Sequence, residues 1–354
     1  MTTTQTMRGL TINAHGGLDQ LRVRDDLPVP SVSPGEVRVR VAAASLNHLD
    51  LFVVHGLPGI TITPPWILGS DAAGTVDAVG AGVTGVHVGA RVAINPGVGC
   101  GTCEYCRGGD QPLCLRFAVL GEHRPGSFAE YVIVPQTHVY DVPASIPDDV
   151  AAAFPLAGLT AWRMVVSRAQ VRPGDRVLVQ GIGSPVSLAA LQIARLRGAE
   201  VWVTSSSDAK LEKARALGAA ETINYRTQDV AKEVRARTGK RGVDVVIDSA
   251  GRESWPGSLG ALGRRGRLVT CGGTTGPIVE TDVRKLFWNQ WTLMGSTMSS
   301  ETEFRDVMAE FVAGRLTMPV DGVYPLERGR EAFERVERGA QFGKVVIRVA
   351  AGAS

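Results

Sequence analysis

The sequence predicts an α/β protein of two domains, a β-barrel-like domain followed by a doubly wound sheet of parallel strands. Three observations carry this expectation. The chain has 354 residues, more than a single core usually organises. Its first part reads as short strands punctuated by Gly and Pro. Beyond Val150, apolar strands alternate with helical runs, the pattern of βαβ units.

In the first part, Glu36–Ala42 (EVRVRVA), Ala73–Val79 (AGTVDAV) and Ala129–Val134 (AEYVIV) read as strands. Many short strands with turn signals between them predict a barrel-like arrangement. In the second part, the strand Arg176–Gln180 (RVLVQ) runs through a Gly turn into the helical stretch Ser187–Arg197. A strand at Val201–Thr204, a helix at Asp208–Leu217, and strands at Val243–Asp248 and Arg267–Cys271 follow. After about Glu301 come a helix and short strands ending at Lys344–Val349. There are no repeats and no low-complexity linker.

Composition bounds the class. Hydrophobic residues make up 44% and charged residues 21%, as in soluble globular proteins. The formal net charge is +3 without a basic tail or stripe, so no nucleic-acid partner is expected. No apolar run approaches the roughly 20 residues that span a bilayer, so no membrane association is expected. The opening MTTTQTMRGL lacks the apolar core and cleavage site of a signal peptide. The expectation is a cytoplasmic protein with reduced thiols.

Four of the five cysteines cluster in GCGTCEYCRGGDQPLC, as Cys100, Cys103, Cys106 and Cys114. The gaps are two, two and seven intervening residues. In a reduced compartment this favours metal binding over disulfides. Four thiolates close a tetrahedral zinc shell and leave no position for substrate or water, so the ion expected here holds a loop and does no chemistry. Cys271 lies in an apolar strand and reads as a small core residue.

The strand RVLVQ leads into Gly181-Ile182-Gly183-Ser184-Pro185-Val186 and then a helix. A Gly-rich turn in that context sets a pyrophosphate on a helix N-terminus. Gly181 permits the tight turn and Gly183 the close backbone approach. Val186 replaces the third glycine of the usual fingerprint. Pro185 removes one backbone donor but suits a first helical turn, and the Ser184 hydroxyl can compensate.

The cysteine lobe, its place between the two domains, and the segments ASLNHLD, PWILGSDAAGTV, PLAGLTAW and FGKVVI cover nearly the whole chain. Together they resemble the medium-chain dehydrogenase/reductase superfamily, which includes zinc alcohol dehydrogenases and quinone oxidoreductases. The resemblance implies a GroES-like domain over residues 1–150, with the zinc lobe at 97–116, and a Rossmann domain over 151–300. Residues 301–354 would return to the first domain.

In the zinc alcohol dehydrogenases of this superfamily, a Cys, a His and a second Cys hold a catalytic ion. The matching positions here are Asn47, Ser70 and Leu156, none of them a good zinc ligand. The hydroxyl/imidazole proton relay is also missing, since Leu49 and Phe52 stand at its positions. His48 and His55 are the only nearby imidazoles that could recruit a metal. The Asn–Asp arrangement matches quinone and enone reductases of the superfamily. It makes Asn47 the candidate donor to a substrate oxygen or the nicotinamide ribose, with Asp50 and His48 orienting that network. Asn47 also reads as a helix cap.

NAD-specific members carry an acid after the second Rossmann strand, where this chain has Ser206. Lys210 and Tyr225 match the 2′-phosphate contacts of NADPH-dependent quinone reductases, so NADPH is the expected cofactor beside one structural zinc. The resemblance also sends Thr160, Cys271, Gly272, Met294, Gly295 and Lys344 to the cofactor region. It implies hydride transfer from NADPH to a quinone or an α,β-unsaturated carbonyl. The alternatives are an alcohol dehydrogenase or carbonyl reductase, and a catalytically inactive NADP-binding protein. Trp66, Phe117, Leu156, Phe287 and Trp288 are expected to offer an apolar pocket to a small apolar substrate. The strand Trp291–Met294 resembles the edge by which family dimers join, so a homodimer is expected.

Overall fold

A computed structural model of the chain describes residues 5–349. Two compact units appear: one from the N-terminus to Leu156 together with the chain from Ser299 onward, the other Ala157–Met298. The first boundary lies a few residues beyond the expected 150, within the helix Pro155–Trp162.

The first unit is built on a seven-stranded sheet. The strand Glu36–Ser45 pairs antiparallel with Asp71–Val79, Tyr131–Pro135 and Lys344–Arg348. Its alternation explains its position: Val37, Val39 and Val41 are buried in the barrel core, while Arg38 and Arg40 point away. Each such valine contributes on the order of 1.5–3 kcal/mol by burial. The strand runs three residues past the expected end at Ala42. Ala43, Ala44 and Ser45 favour no strand by propensity, but both neighbours extend their ladders across them, Ser45 lying opposite Asp71 and Val346. Tertiary pairing overrides local preference there. The helix Asp148–Ala153 covers this end, and Ser45 Oγ donates to Ala152 O at 2.9 Å.

The second unit is a six-stranded sheet, parallel throughout. Its strand order is Glu221–Asn224, Glu200–Ser205, Arg176–Val179, Val243–Asp248, Leu262–Thr270, Thr292–Gly295. The chain builds outward from Arg176–Val179 and then crosses to its other side at Val243–Asp248. The switch point therefore lies between these two strands, and open α/β sheets bind ligands at the carboxyl ends there. The helix Pro185–Leu196 packs Leu188, Ala189, Leu191 and Ile193 into the core. Ser184 caps it by accepting from Ser187 N at 3.2 Å, and Pro185 sits in its first turn, where no N–H is needed.

Candidate functional site

In the first unit, the three positions matching the ligands of a catalytic metal converge on one buried carboxylate. Asp71 is fully buried. Its Oδ1 accepts from Leu156 N at 2.7 Å. Its Oδ2 accepts from Asn47 Nδ2 at 3.0 Å, Ser45 Oγ at 3.1 Å and Lys344 Nζ at 2.6 Å. Ser70, its chain neighbour, donates its hydroxyl to Leu120 O at 2.8 Å. Lys344 is fully buried too, and its ammonium also donates to Leu46 O at 3.1 Å and Asn47 Oδ1 at 2.6 Å.

These residues do not fit a catalytic zinc. Leu156 offers no ligand atom, the Ser70 hydroxyl donates to a carbonyl, and Asn47 lies between an ammonium and a carboxylate. A dication would also meet a buried positive charge at the same carboxylate. The two imidazoles supply no substitute. His55 is exposed, with its ring nitrogens at Gly16 O and Glu337 Oε1. His48 makes no hydrogen bond among the described residues, and burial, then the charge of Lys344, hold its imidazolium below the usual histidine range.

Asn47 and Asp50 divide the helix-capping work. Asn47 is the N-cap of the helix His48–His55 and forms a capping box with Asp50, while its side chain also reaches Lys344 and Asp71. Asp50 closes the turn from within, its Oδ2 accepting from Asn47 N at 2.7 Å and its Oδ1 from Gly69 N at 3.2 Å. Burial raises the Asp50 carboxyl to about 7, against the lowering effect of those N–H groups and of Lys344. Gly69 can make this approach because it has no side chain: its φ is +98°, and a Cβ would lie 2.5 Å from the Phe128 ring. Asp50 thus holds the backbone N–H groups of Asn47 and Gly69, whereas His48 makes no hydrogen bond to Asn47, Asp71 or Lys344.

The cysteine lobe forms a ready cage. The sulfurs of Cys100, Cys103, Cys106 and Cys114 all lie within 4.8 Å of one another. Backbone N–H groups point at them: Cys100 N and Arg116 N at Cys114 Sγ, both at 3.3 Å, and Cys103 N at Cys100 Sγ at 3.4 Å. Hydrogen bonds from Thr102 and from the backbone draw the Cys100 thiol down to about 5. Clustered sulfurs with N–H donors suit thiolates around one closed zinc.

In the second unit, several of the residues expected at the dinucleotide stand at the carboxyl ends of strands of the sheet. Gly181 and Gly183 adopt φ of +66° and +114° directly after the strand Arg176–Val179. Lys210 lies across this turn, so a Cβ on Gly183 would come within 2.9 Å of Lys210 Cδ. Ser206 follows the next strand, and Tyr225 the outermost one, with Tyr225 N donating to Ser205 O at 3.1 Å. Val186 sits in the first turn of the capped helix. Cys271 and Gly272 follow the strand Leu262–Thr270, while Met294 and Gly295 end the edge strand. Thr160 is buried and its Oγ1 has no hydrogen-bond partner; Ser296 Oγ, just beyond Gly295, is in the same state. Buried hydroxyls left unpaired are uncommon. Together with the glycine turn at the switch point, they fit a bound dinucleotide.

Several placements differ from expectation. Lys344 does not face a cofactor, because its three N–H donors match three protein acceptors. Trp66 is a core residue whose Nε1 donates to Gly121 O at 2.8 Å. Phe287 and Trp288 are exposed, at 64% and 74%. Sequence reasoning missed Asp71, whose only signal was its place beside Ser70. It also missed a polar chain under the switch point. There Thr204 Oγ1 donates to Gln180 Oε1, Gln180 Nε2 to Ser258 Oγ, and Ser258 Oγ to Asp248 Oδ2, at 2.7, 2.9 and 2.7 Å. Thr204 Oγ1 also receives Gly181 N at 3.0 Å, tying this chain to the glycine turn. An acid stands two residues beyond Ser206 as well: Asp208, whose Oδ1 accepts from Asn224 Nδ2 at 2.7 Å.

Known proteins share this architecture. Residues 33–144 match the alcohol dehydrogenase GroES-like domain, and residues 185–313 the zinc-binding dehydrogenase domain. A zinc-type alcohol dehydrogenase-like protein of Schizosaccharomyces pombe is 35% identical over 94% of this chain and 96% of its own. A crystal structure of an NAD-dependent alcohol dehydrogenase superposes with a TM-score of 0.93 at 44% identity, covering 97% of this chain and all of that one. A crotonyl-CoA carboxylase/reductase in complex with NADP superposes with a TM-score of 0.91 at 26% identity, covering 99% and 96%. The two matched domains, the near full-length relatives and the parallel six-stranded sheet make this chain a member of the medium-chain dehydrogenase/reductase superfamily, an oxidoreductase of the zinc-type alcohol dehydrogenase-like kind.

Proposed function

We propose that the protein is an NADPH-dependent reductase of conjugated acceptors, α,β-unsaturated carbonyls or quinones, with one structural zinc. The observation that carries this reading is the Lys344–Asp71 pair standing where the ligand positions of a catalytic metal converge. Without a Lewis acid, a simple alcohol has no strong means of losing its proton at neutral pH. A conjugated acceptor needs less help, because its developing negative charge spreads onto an oxygen that hydrogen bonds stabilise. Bound NADPH supplies the hydride. For an enone, the new C–H bond forms at the β-carbon, the alkene π pair moves between the α-carbon and the carbonyl carbon, and the carbonyl π pair moves onto oxygen, giving an enolate. Solvent then delivers a proton to the α-carbon. Asn47 Nδ2 is the donor assigned to that oxygen. Support for NADPH over NADH comes from Ser206 in place of an acid, from Lys210 in the helix that follows Ser206, and from the NADP carried by the crotonyl-CoA carboxylase/reductase.

The experiment uses an α,β-unsaturated aldehyde and stereospecifically deuterated NADPH. Deuterium at the β-carbon of a saturated aldehyde is the expected product. The second reading, an alcohol dehydrogenase or carbonyl reductase, draws on what the relatives at 35% and 44% identity are called. It requires deuterium at the carbonyl carbon of an allylic alcohol, and that result would overturn the first reading.

A further inference from the structure

The Asn47 carboxamide is gripped at both ends. Lys344 Nζ donates to Oδ1 at 2.6 Å, and Nδ2 donates to Asp71 Oδ2 at 3.0 Å. An ammonium can only donate and a carboxylate only accept. Of the two amide orientations, these neighbours therefore permit one. Half a turn about the terminal bond would set N–H groups against the ammonium and a carbonyl oxygen against the carboxylate. Both contacts would be repulsive in a buried setting where water screens little.

The clamp is itself fixed. Lys344 is wholly buried, and its three N–H bonds are matched by Leu46 O, Asn47 Oδ1 and Asp71 Oδ2. Asp71 is steadied by Ser45 Oγ at 3.1 Å and Leu156 N at 2.7 Å. A primary amide carries two N–H donors. Asp71 takes one from Asn47, and among the described residues no acceptor takes the other. A charged donor at Oδ1 also withdraws electron density from the amide, which strengthens the remaining N–H as a donor.

We propose that Lys344 is a positioning residue: with Asp71 it locks and polarises the Asn47 carboxamide so that the second Nδ2 hydrogen is presented to the substrate oxygen. The identity of that oxygen, and only that, rests on the reductase reading above. The basic residue of the closing FGKVVI segment thus acts through Asn47 and not on the cofactor.

The test is a double-mutant cycle with Asn47→Ala, Lys344→Met and the two combined, in the zinc-loaded enzyme. Each single change is expected to lower kcat by about tenfold to a hundredfold, less than loss of a whole oxyanion donor array. KM and the Kd for NADPH should move little. The combined variant should be no slower than Asn47→Ala alone, because Lys344 has nothing left to orient. Losses that simply multiply would overturn the proposal. Lys344→Met strands a buried carboxylate and can fail to fold, so the charge-neutral Lys344→Met/Asp71→Asn protein carries the same cycle if it does. A second readout needs no turnover: selective 15N-asparagine labelling shows the Asn47 side-chain amide directly. Its two hydrogens should exchange with solvent at unequal rates in the unaltered protein and lose that inequality in Lys344→Met/Asp71→Asn. Unchanged Asn47 signals in that variant would reject the positioning role. An unaltered enzyme that reduces no conjugated acceptor would reject the reductase reading instead, and the amide signals would still decide this one.

Discussion

A single side chain can carry cofactor choice. Lys210 stands in the helix that follows Ser206, the position at which a Rossmann sheet distinguishes a ribose 2′-hydroxyl from a 2′-phosphate. NADPH should exceed NADH in kcat/KM, and Lys210→Ala should narrow that preference by roughly 1.5–3 kcal/mol, the size of one charge-assisted hydrogen bond. Steady-state kinetics with both cofactors measures it, and equal use of the two by the unaltered enzyme contradicts the assignment. Asp208 complicates the arithmetic, because a carboxylate two residues beyond Ser206 opposes a second negative charge, but the Asn224 amide engages it. At this scale the sequence was most readable where a residue's chemistry is narrow: four cysteines, two glycines, a leucine where a ligand would be. It was least readable for Lys344. A lysine at a strand start looks like a surface residue or a phosphate contact. Only the pairing of Lys344–Arg348 against Glu36–Ser45 shows that its ammonium ends beside Asp71.

Elements show the same division. The strand Val243–Asp248 has the bounds that its sequence predicts, because Val243, Val245, Val246 and Ile247 are buried in a parallel sheet. The strand Leu262–Thr270 starts well before the expected Arg267. Its first residues, Leu-Gly-Arg-Arg-Gly, carry no strand propensity, and Arg265 has a positive φ of 58°. Leu262 is drawn into the ladder opposite Val243, a long-range partner that no local pattern announces. The cysteine lobe is the opposite case. It contains the two-residue strand Gly97–Val98 and short helical turns, Glu104–Arg107 and Gln111–Leu113, too short to be stable alone, so its shape depends on the sulfur cage. Metal analysis should find one zinc per chain, and Cys103→Ser should lose it and lower the melting temperature, since structural zinc is coupled to folding. A Cys103→Ser protein with unaltered zinc content and melting temperature would contradict the cage.

At the scale of the whole molecule, the edge strand Thr292–Gly295 ends the six-stranded sheet and has a paired neighbour on one side only. The preceding helix Val283–Asn289 exposes Val283, Phe287 and Trp288. An open edge beside exposed aromatics invites association unless it is covered. A second copy related by a twofold axis is the economical cover, since the same edge then meets itself. Light scattering at micromolar concentration should give twice the 37.5 kDa chain mass, and Trp288→Glu should shift the population towards the single chain. A monodisperse single-chain mass for the unaltered protein would rule this pairing out.

The order of the chain has a consequence for how such a protein can change. The first unit is written in two pieces, up to Leu156 and from Ser299, with the second unit as an uninterrupted insert between them. The residues around Asn47, Asp71 and Lys344 all belong to the split unit, and the glycine turn, Lys210 and Tyr225 all belong to the insert. A single genetic exchange of the stretch Ala157–Met298 would therefore swap the whole parallel sheet with its glycine turn while keeping the Asn47, Asp71 and Lys344 hydrogen bonds encoded on either side of it.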